Sequence, residues 1–252
     1  MILRPYVFAA AVAALLAQPI QTAHGQSTAH PREDIVNLDP AHSNIDFTLL
    51  GNLHKTDGRF NLKSGLIRVD PETGNAAGKI EIDVASEDSK EQLRDAIIRN
   101  GVLDVARYPE MTFTPRNIQG IRDSQNNFYG RVTGLMEVQG KTHEMTIQVH
   151  GHLQGDQLTS ACDFLVPYVD WGVESPNVLS STEIINSTRD YETKTGNSMF
   201  SIFAYMLPIL RKIPPHLFNV SDLVQVKIET NGYITWVPDP QARKVTIIVS
   251  PR

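Results

Sequence analysis

The sequence predicts an all-β protein, an antiparallel sheet folded over one core as a sandwich or a barrel. Three observations predict it. Apolar and polar residues alternate with period two through much of the chain. About nine such stretches follow one another at near-regular spacing, divided by turn residues. A single helical pattern interrupts them, and there is no strand–helix–strand rhythm. Closure into a barrel would remove the unpaired edges that template aggregation.

The elements follow in chain order. Residues 26–34 are polar and read as loose. Ile45, Phe47 and Leu49 then alternate with Asn44, Asp46 and Thr48, which gives a strand with one apolar face. Gly58-Arg59-Phe60 opens a second extended stretch, and Leu66 to Asp70 leads into a turn at Pro71-Glu72-Thr73-Gly74. Ile80, Ile82 and Val84 face away from Lys79, Glu81 and Asp83. The period changes over residues 86–101, which are charged, lack Pro and place Leu93, Ile97 and Ile98 at helical spacing. Ser89 with Gln92 forms a capping box, Ser86 is a competing start and Gly101 a stop. Glu87, Asp88 and Glu91 read as solvated acids at the helix start, where the dipole favours them.

Pro109 pushes Tyr108 toward extended backbone and closes the connection. Strands resume at Met111 to Thr114 and, after a turn at 124–127, at Phe128 to Val138. Gln139-Gly140-Lys141 is a tight hairpin connection into Met145, Ile147 and Val149. Gly155-Asp156 turns the chain into Leu158 to Val166, and Leu223 to Thr230 supplies a later strand. Residues 199–213 are apolar on all sides, then basic at Arg211-Lys212, before Pro214-Pro215. They read as a buried or lid-like element, with an interface or membrane-surface contact as the alternative. Residues 244–249 read as a last strand or an extension outside the main fold.

The N-terminus reads as a signal peptide. Arg4 precedes an uncharged apolar run, Val7 to Leu16, and Ala23-His24-Gly25 offers small residues for cleavage after Gly25. The run is shorter than the roughly 20 residues a membrane-crossing helix takes. The expected mature chain is exported, periplasmic or secreted. The expected boundaries are 1–25 for the signal peptide, 36–236 for the barrel domain with an insertion at about 174–219, and 237–252 for a C-terminal extension.

Composition excludes several functions. The 23 Lys+Arg against 28 Asp+Glu give a net charge of −5, which disfavours general nucleic-acid binding. The single cysteine, Cys162, forms no intramolecular disulfide, Cys₄ zinc site or CxxC redox pair. An exported chain of this kind depends on its packing and hydrogen bonds alone. His150 and His152 share a strand face opposite Ile147 and Val149, and read as exposed surface groups. Cys162 lies in a strand-like stretch with nothing to activate its thiol, and reads as a buried small hydrophobe. No GxSxG, HExxH, GxGxxG or phosphate-loop motif is present. Arg94-Asp95, on the one helix, reads as an anchor to a neighbouring strand or loop, with a ligand head-group contact as the alternative.

These residues resemble a known family. Leu38-Asp39-Pro40-Ala41-His42-Ser43-Asn44-Ile45-Asp46-Phe47 is similar to the opening motif of the YceI-like, polyisoprenoid-binding family. Gly58-Arg59-Phe60 with Ser64-Gly65, Arg94-Asp95, Tyr108 to Phe113, Gly134 to His143 and Asp170-Trp171-Gly172-Val173 resemble its later pieces, in order. The chain departs from the pattern at Ala96-Ile97-Ile98, in the length of the 174–219 insertion and in the tail. The resemblance implies an extended antiparallel lipocalin-like β-barrel with one flanking helix and a longer than usual C-terminal insertion. It implies an apolar lumen for a long isoprenoid chain, no catalytic activity and no required cofactor. The bound molecule would be a polyisoprenoid or an isoprenoid quinone.

The residues expected around the ligand are Phe47, Leu49, Phe60, Ile80, Ile82, Phe113, Val132, Met136, Ile147 and Phe164, on the apolar strand faces. Arg94, Asp170 and Trp171 are expected at the mouth, beside the head group. No metal ligands are expected. The partners that follow are an apolar lipid and a transient membrane contact, without nucleic acid; the sequence leaves the oligomeric state open, a homodimer included. The rival reading is a solid-cored exported barrel that works through its outer surface.

Overall fold

A computed structural model describes residues 33–51, 55–176 and 220–236, together with Arg189 and Thr193. The expected signal peptide, the 199–213 element, the strand at 244–249 and most of the 174–219 insertion lie outside the described residues.

Nine antiparallel strands form one closed sheet. They are β1 (Asp34–Leu38), β2 (Asn44–Gly51), β3 (Lys55–Val69), β4 (Ala76–Asp88), β5 (Glu110–Arg122), β6 (Asn127–Val138), β7 (Lys141–Gln154), β8 (Gln157–Val166) and β9 (Val220–Trp236). Neighbours in sequence pair from β2 round to β9, and β9 pairs back with β2. β1 and β2 share one position between β3 and β9. β2 takes Lys55 to Phe60 of β3, and β1 takes Leu66 to Val69. On the other side β2 pairs up to Glu229 of β9, and β1 pairs from Gly232 onward. The ring therefore has eight positions, each paired on both sides.

The break within that shared position is a 3-10 turn, Pro40–His42. Asp39 caps it by accepting the Ala41 N–H at 2.9 Å. The Asn231 amide of β9 donates to the His42 carbonyl at 2.7 Å and holds the turn on the barrel. The β6–β7 connection is the expected tight hairpin. Gln139 and Gly140 both take positive φ, 49° and 70°, as the turn that matches strand twist requires.

Bulges re-aim several strands. The register slips between Leu62 and Ser64 in β3 and between Pro115 and Asn117 in β5. In each, one extra residue moves the inward set from one parity to the other. β4 has a larger excursion. Arg59 of β3 faces Asp88, while Asn61, two residues on, faces Asp83. The loose segment is tied by Ser86, whose hydroxyl donates to the Asp83 carbonyl and accepts from the Asn61 N–H.

Here the structure corrects the sequence reading. Residues 86–88 belong to β4, and the helix α1 runs only from Gln92 to Ile97. Its cap is Glu91, which accepts the Arg94 N–H at 3.1 Å, because the Ser89 hydroxyl is engaged by Asp95 and Arg94. Gly101 ends nothing: α1 passes directly into a π-helical turn, Ile98–Val102. Glu87 is not a solvated acid. The β4 excursion turns it inward, to 2% exposure.

Candidate functional site

The barrel encloses a cavity of about 560 Å³. Its wall is built from the inward face of every strand. The sequence-selected Phe47, Leu49, Phe60, Ile80, Ile82, Phe113, Val132, Met136, Ile147 and Phe164 all line it. They converge because antiparallel pairing puts residues of one pleat on one side. Phe47 and Phe60 meet with ring centroids 5.2 Å apart.

Three phenylalanines lie against glycines of neighbouring strands. A Cβ on Gly134 would meet the Phe113 ring at 2.6 Å, and one on Gly151 would meet the Phe128 ring at 2.5 Å. Gly58 lies under the Phe47 ring in the same way. Each glycine gives its ring room to lie along the wall, so the lumen stays open where an upright ring would divide it.

The wall carries few polar groups. Ser160 and Thr230 bond to each other at 2.6 Å, so neither hydroxyl is left unsatisfied inside. Cys162 also lines the lumen, and is half-buried, less enclosed than the sequence reading had it. Burial, with a smaller contribution from Asp163, pushes its thiol up to about 11, so it is neutral and inert at ordinary pH.

The two ends differ. At one, Ile98, Val102 and Leu103 from the helical segment meet Tyr168, Trp171 and Val173 from the turn after β8. Val102, Leu103, Tyr168 and Val173 are buried, so this end is closed. Tyr168 donates its hydroxyl to the Ser221 carbonyl at 2.9 Å, and Trp171 stacks on His143 at 4.6 Å with the rings 1° from parallel. At the other end, Gly120 and Arg122 line the cavity and are also exposed, which marks the mouth. Asp34, Phe128 and Ile234 complete that end, and Arg122 donates to the Asn126 side chain at 2.7 Å.

The expected rim residues are not at the mouth. Trp171 lines the lumen, but at its closed end. Asp170 is exposed in the same turn and lines nothing. Arg94 donates to the Ser89 hydroxyl at 2.8 Å and to the Ser89 carbonyl at 2.7 Å, so it anchors α1 to the preceding turn and stays out of the lumen. The groups the sequence reading missed are Arg122 and Asp34. Arg122 sits beside a turn that was recognised. The unforeseen bulge at Pro115 hid its inward parity, and Asp34 fell in a stretch read as loose. His150 and His152 lie on the outer face, as expected. Among the described residues, no group of three or more His, Cys, Asp or Glu side chains is placed to hold a metal ion.

The comparisons with known proteins agree with this geometry. The model of the YceI-like domain matches residues 37–231. No curated protein matches the chain. BcnA of Burkholderia cenocepacia has a similar structure, with TM-score 0.51 and 19% identity, over 77% of this chain and 98% of that one. A polyisoprenoid-binding domain from Saccharophagus degradans, implicated in plant cell wall breakdown, gives TM-score 0.53 and 14% identity, over 79% and 98% of the two chains. At these identities the likeness is one of fold.

Proposed function

Because the chain belongs to the YceI-like domain family, we propose that its lumen binds, and carries or stores, a long apolar isoprenoid-type lipid. One observation carries the reading: an apolar cavity of about 560 Å³, closed at one end and open at the other. A solid-cored barrel needs no such space, since protein interiors pack densely. Each methylene moved from water into the lumen contributes about 0.8 kcal/mol. A few isoprene units therefore outweigh the cost of ordering the chain, without directional contacts.

The ligand enters tail first, because the closed end is apolar. Its polar head stays at the mouth, beside Arg122 and Asp34. Selection is by length and girth, and a polyisoprenoid or an isoprenoid quinone meets both demands. The polyisoprenoid-binding domain of similar fold supports the cargo class. The protein acts without catalysis, in keeping with an inert thiol and a hydroxyl pair bonded to itself. The signal peptide expected at residues 1–25 supports export, and outside the cytoplasm a carrier would make transient contact with a membrane.

The test is lipid mass spectrometry of protein purified natively without detergent. We expect one or a few isoprenoid species at near-stoichiometric amounts. A protein that carries no apolar molecule and takes up none from vesicles overturns the reading. A second reading is an interaction module working through its outer surface. It is favoured by Leu50, Leu165 and Leu223, 57%, 58% and 43% exposed on three neighbouring strands. It predicts partner binding that survives filling of the lumen.

A further inference from the structure

Glu87 is an anomaly in this fold. Its side chain has 0% exposure, and neither carboxyl oxygen has a hydrogen-bond partner among the described residues. A buried acid of this kind costs several kcal/mol unless it is paired or neutral. It is not well paired. The nearest cation, Arg99 on the π turn, holds its Nε 3.8 Å from Oε2 and donates instead to the Asp95 carbonyl at 3.2 Å.

The other charged groups facing it are committed elsewhere. Asp95 on α1 accepts from the Ser89 N–H and hydroxyl. Arg94 on α1 is bonded to Ser89. Asp88, next along β4, accepts the Lys90 N–H, and Arg59, opposite it on β3, turns to Asp46. Burial, Asp95 and Asp88 all oppose ionisation more than Arg99 and Arg94 favour it, and the carboxyl is pushed up to about 8. At neutral pH it is mostly protonated.

What lies over Glu87 matters more than its charge. Arg99 belongs to the π turn whose Ile98 and Val102 line the closed end of the lumen. The segment is weak on its own. α1 has six residues, too short to persist without packing, and π turns are rare and frequent at functional sites. Arg99 is held by the Asp95 carbonyl, so an ionised Glu87 depends on water, and water reaches it only where the segment separates from β4.

We propose that Glu87 is a proton-operated latch on the closed end of the lumen. With the carboxyl neutral, the segment from Gln92 to Leu103 stays seated and the lumen is a blind pocket. When the proton leaves, the segment lifts and the lumen opens at a second end. The consequence for cargo, release in mildly alkaline surroundings and retention below them, rests on the proposed lipid-binding function. The latch itself does not.

Hydrogen exchange read by mass spectrometry tests it on the ligand-free full chain, corrected for the intrinsic pH dependence of exchange. Between pH 6.5 and pH 9, protection over 92–103 should fall at least tenfold relative to the β6–β7 hairpin, with the fall levelling off above about 8. Glu87→Gln, which keeps the shape and cannot ionise, should show no such fall. Equal loss in both proteins, or loss in neither, overturns the latch. Should Glu87→Gln fail to fold, Arg99→Gln decides. Removing the opposing cation must move the levelling-off to higher pH, and an unmoved or lowered one overturns the proposal. The dissociation rate of a fluorescent long-chain probe, followed over the same range, separates the two readings. If no probe binds while 92–103 still opens, the latch stands and the lipid reading fails.

Discussion

The far edge of the Phe47 ring lies over Gly58, its direct partner across the β2–β3 pair. A side chain at Gly58 would occupy the space the ring now fills. Gly58→Ala should therefore push Phe47 upright into the lumen, at a cost of about 1–3 kcal/mol from strain and lost packing. It should also shorten the longest chain the protein takes up. Urea unfolding and competition among prenyl chains of graded length measure the two effects. Unchanged stability with unchanged length selection would show that the contact shapes nothing.

Much of the barrel was legible because alternation reports which face a strand residue takes. Ile80, Ile82, Val132, Met136 and Ile147 line the lumen on that signal alone. Alternation fails where a bulge adds a residue, since no local feature of the sequence announces the slip. Glu87 was lost there. It reads as a helix-start acid beside Asp88 and Glu91, yet the excursion of β4 turns it under α1. The mouth was lost for a related reason. Arg122 gains its inward position only through the bulge after Pro115. The resemblance to known relatives pointed to a polar rim at Arg94 and Asp170, but both side chains lie outside the lumen, at the closed end.

The Asp39 cap predicts acid sensitivity at the β1–β2 break. His42 first, and then the Ala41 N–H, hold the Asp39 carboxyl below the usual carboxylate range. A group lowered on folding stabilises the fold above its unfolded value of 3.8, and that contribution is lost as pH falls through the lower folded value. Asp39→Asn keeps a capping oxygen and removes the charge. Its melting temperature should lie below the natural protein's at pH 6, with the gap closing toward pH 2. A gap that persists undiminished at pH 2 would mean that the charge is not its source.

Cys162 predicts slow chemistry inside the lumen. With its thiol near 11, about one molecule in a thousand is thiolate at pH 8. Alkylation should run roughly a hundredfold slower than for a free thiol of ordinary acidity, 9.0, and rise about tenfold per pH unit up to pH 11. An occupied lumen should slow it further, so the rate reports on ligand. Labelling at the rate of a free thiol, in folded protein, would place Cys162 outside the lumen.

Glu87 also predicts the shape of the whole stability curve. Its carboxyl is raised on folding, from 4.5 to about 8, so the folded state binds the proton more tightly than the unfolded chain. The contribution is complete below about 4.5 and is lost as pH rises toward 8, the reverse of an ordinary paired carboxylate. The full thermodynamic loss is on the order of 3–5 kcal/mol. Local opening over α1 would cap it, because a lifted segment rehydrates the carboxylate before the barrel unfolds. Denaturant melts from pH 5 to pH 9 should show the natural protein losing stability across that window. Glu87→Gln should cross the natural protein's curve, less stable at pH 5, where the amide forfeits the fit of the acid, and more stable at pH 9. Parallel curves would mean that the carboxyl stays protonated, or stays ionised, throughout. The sign of the slope therefore tests the burial of this one side chain without reference to any ligand.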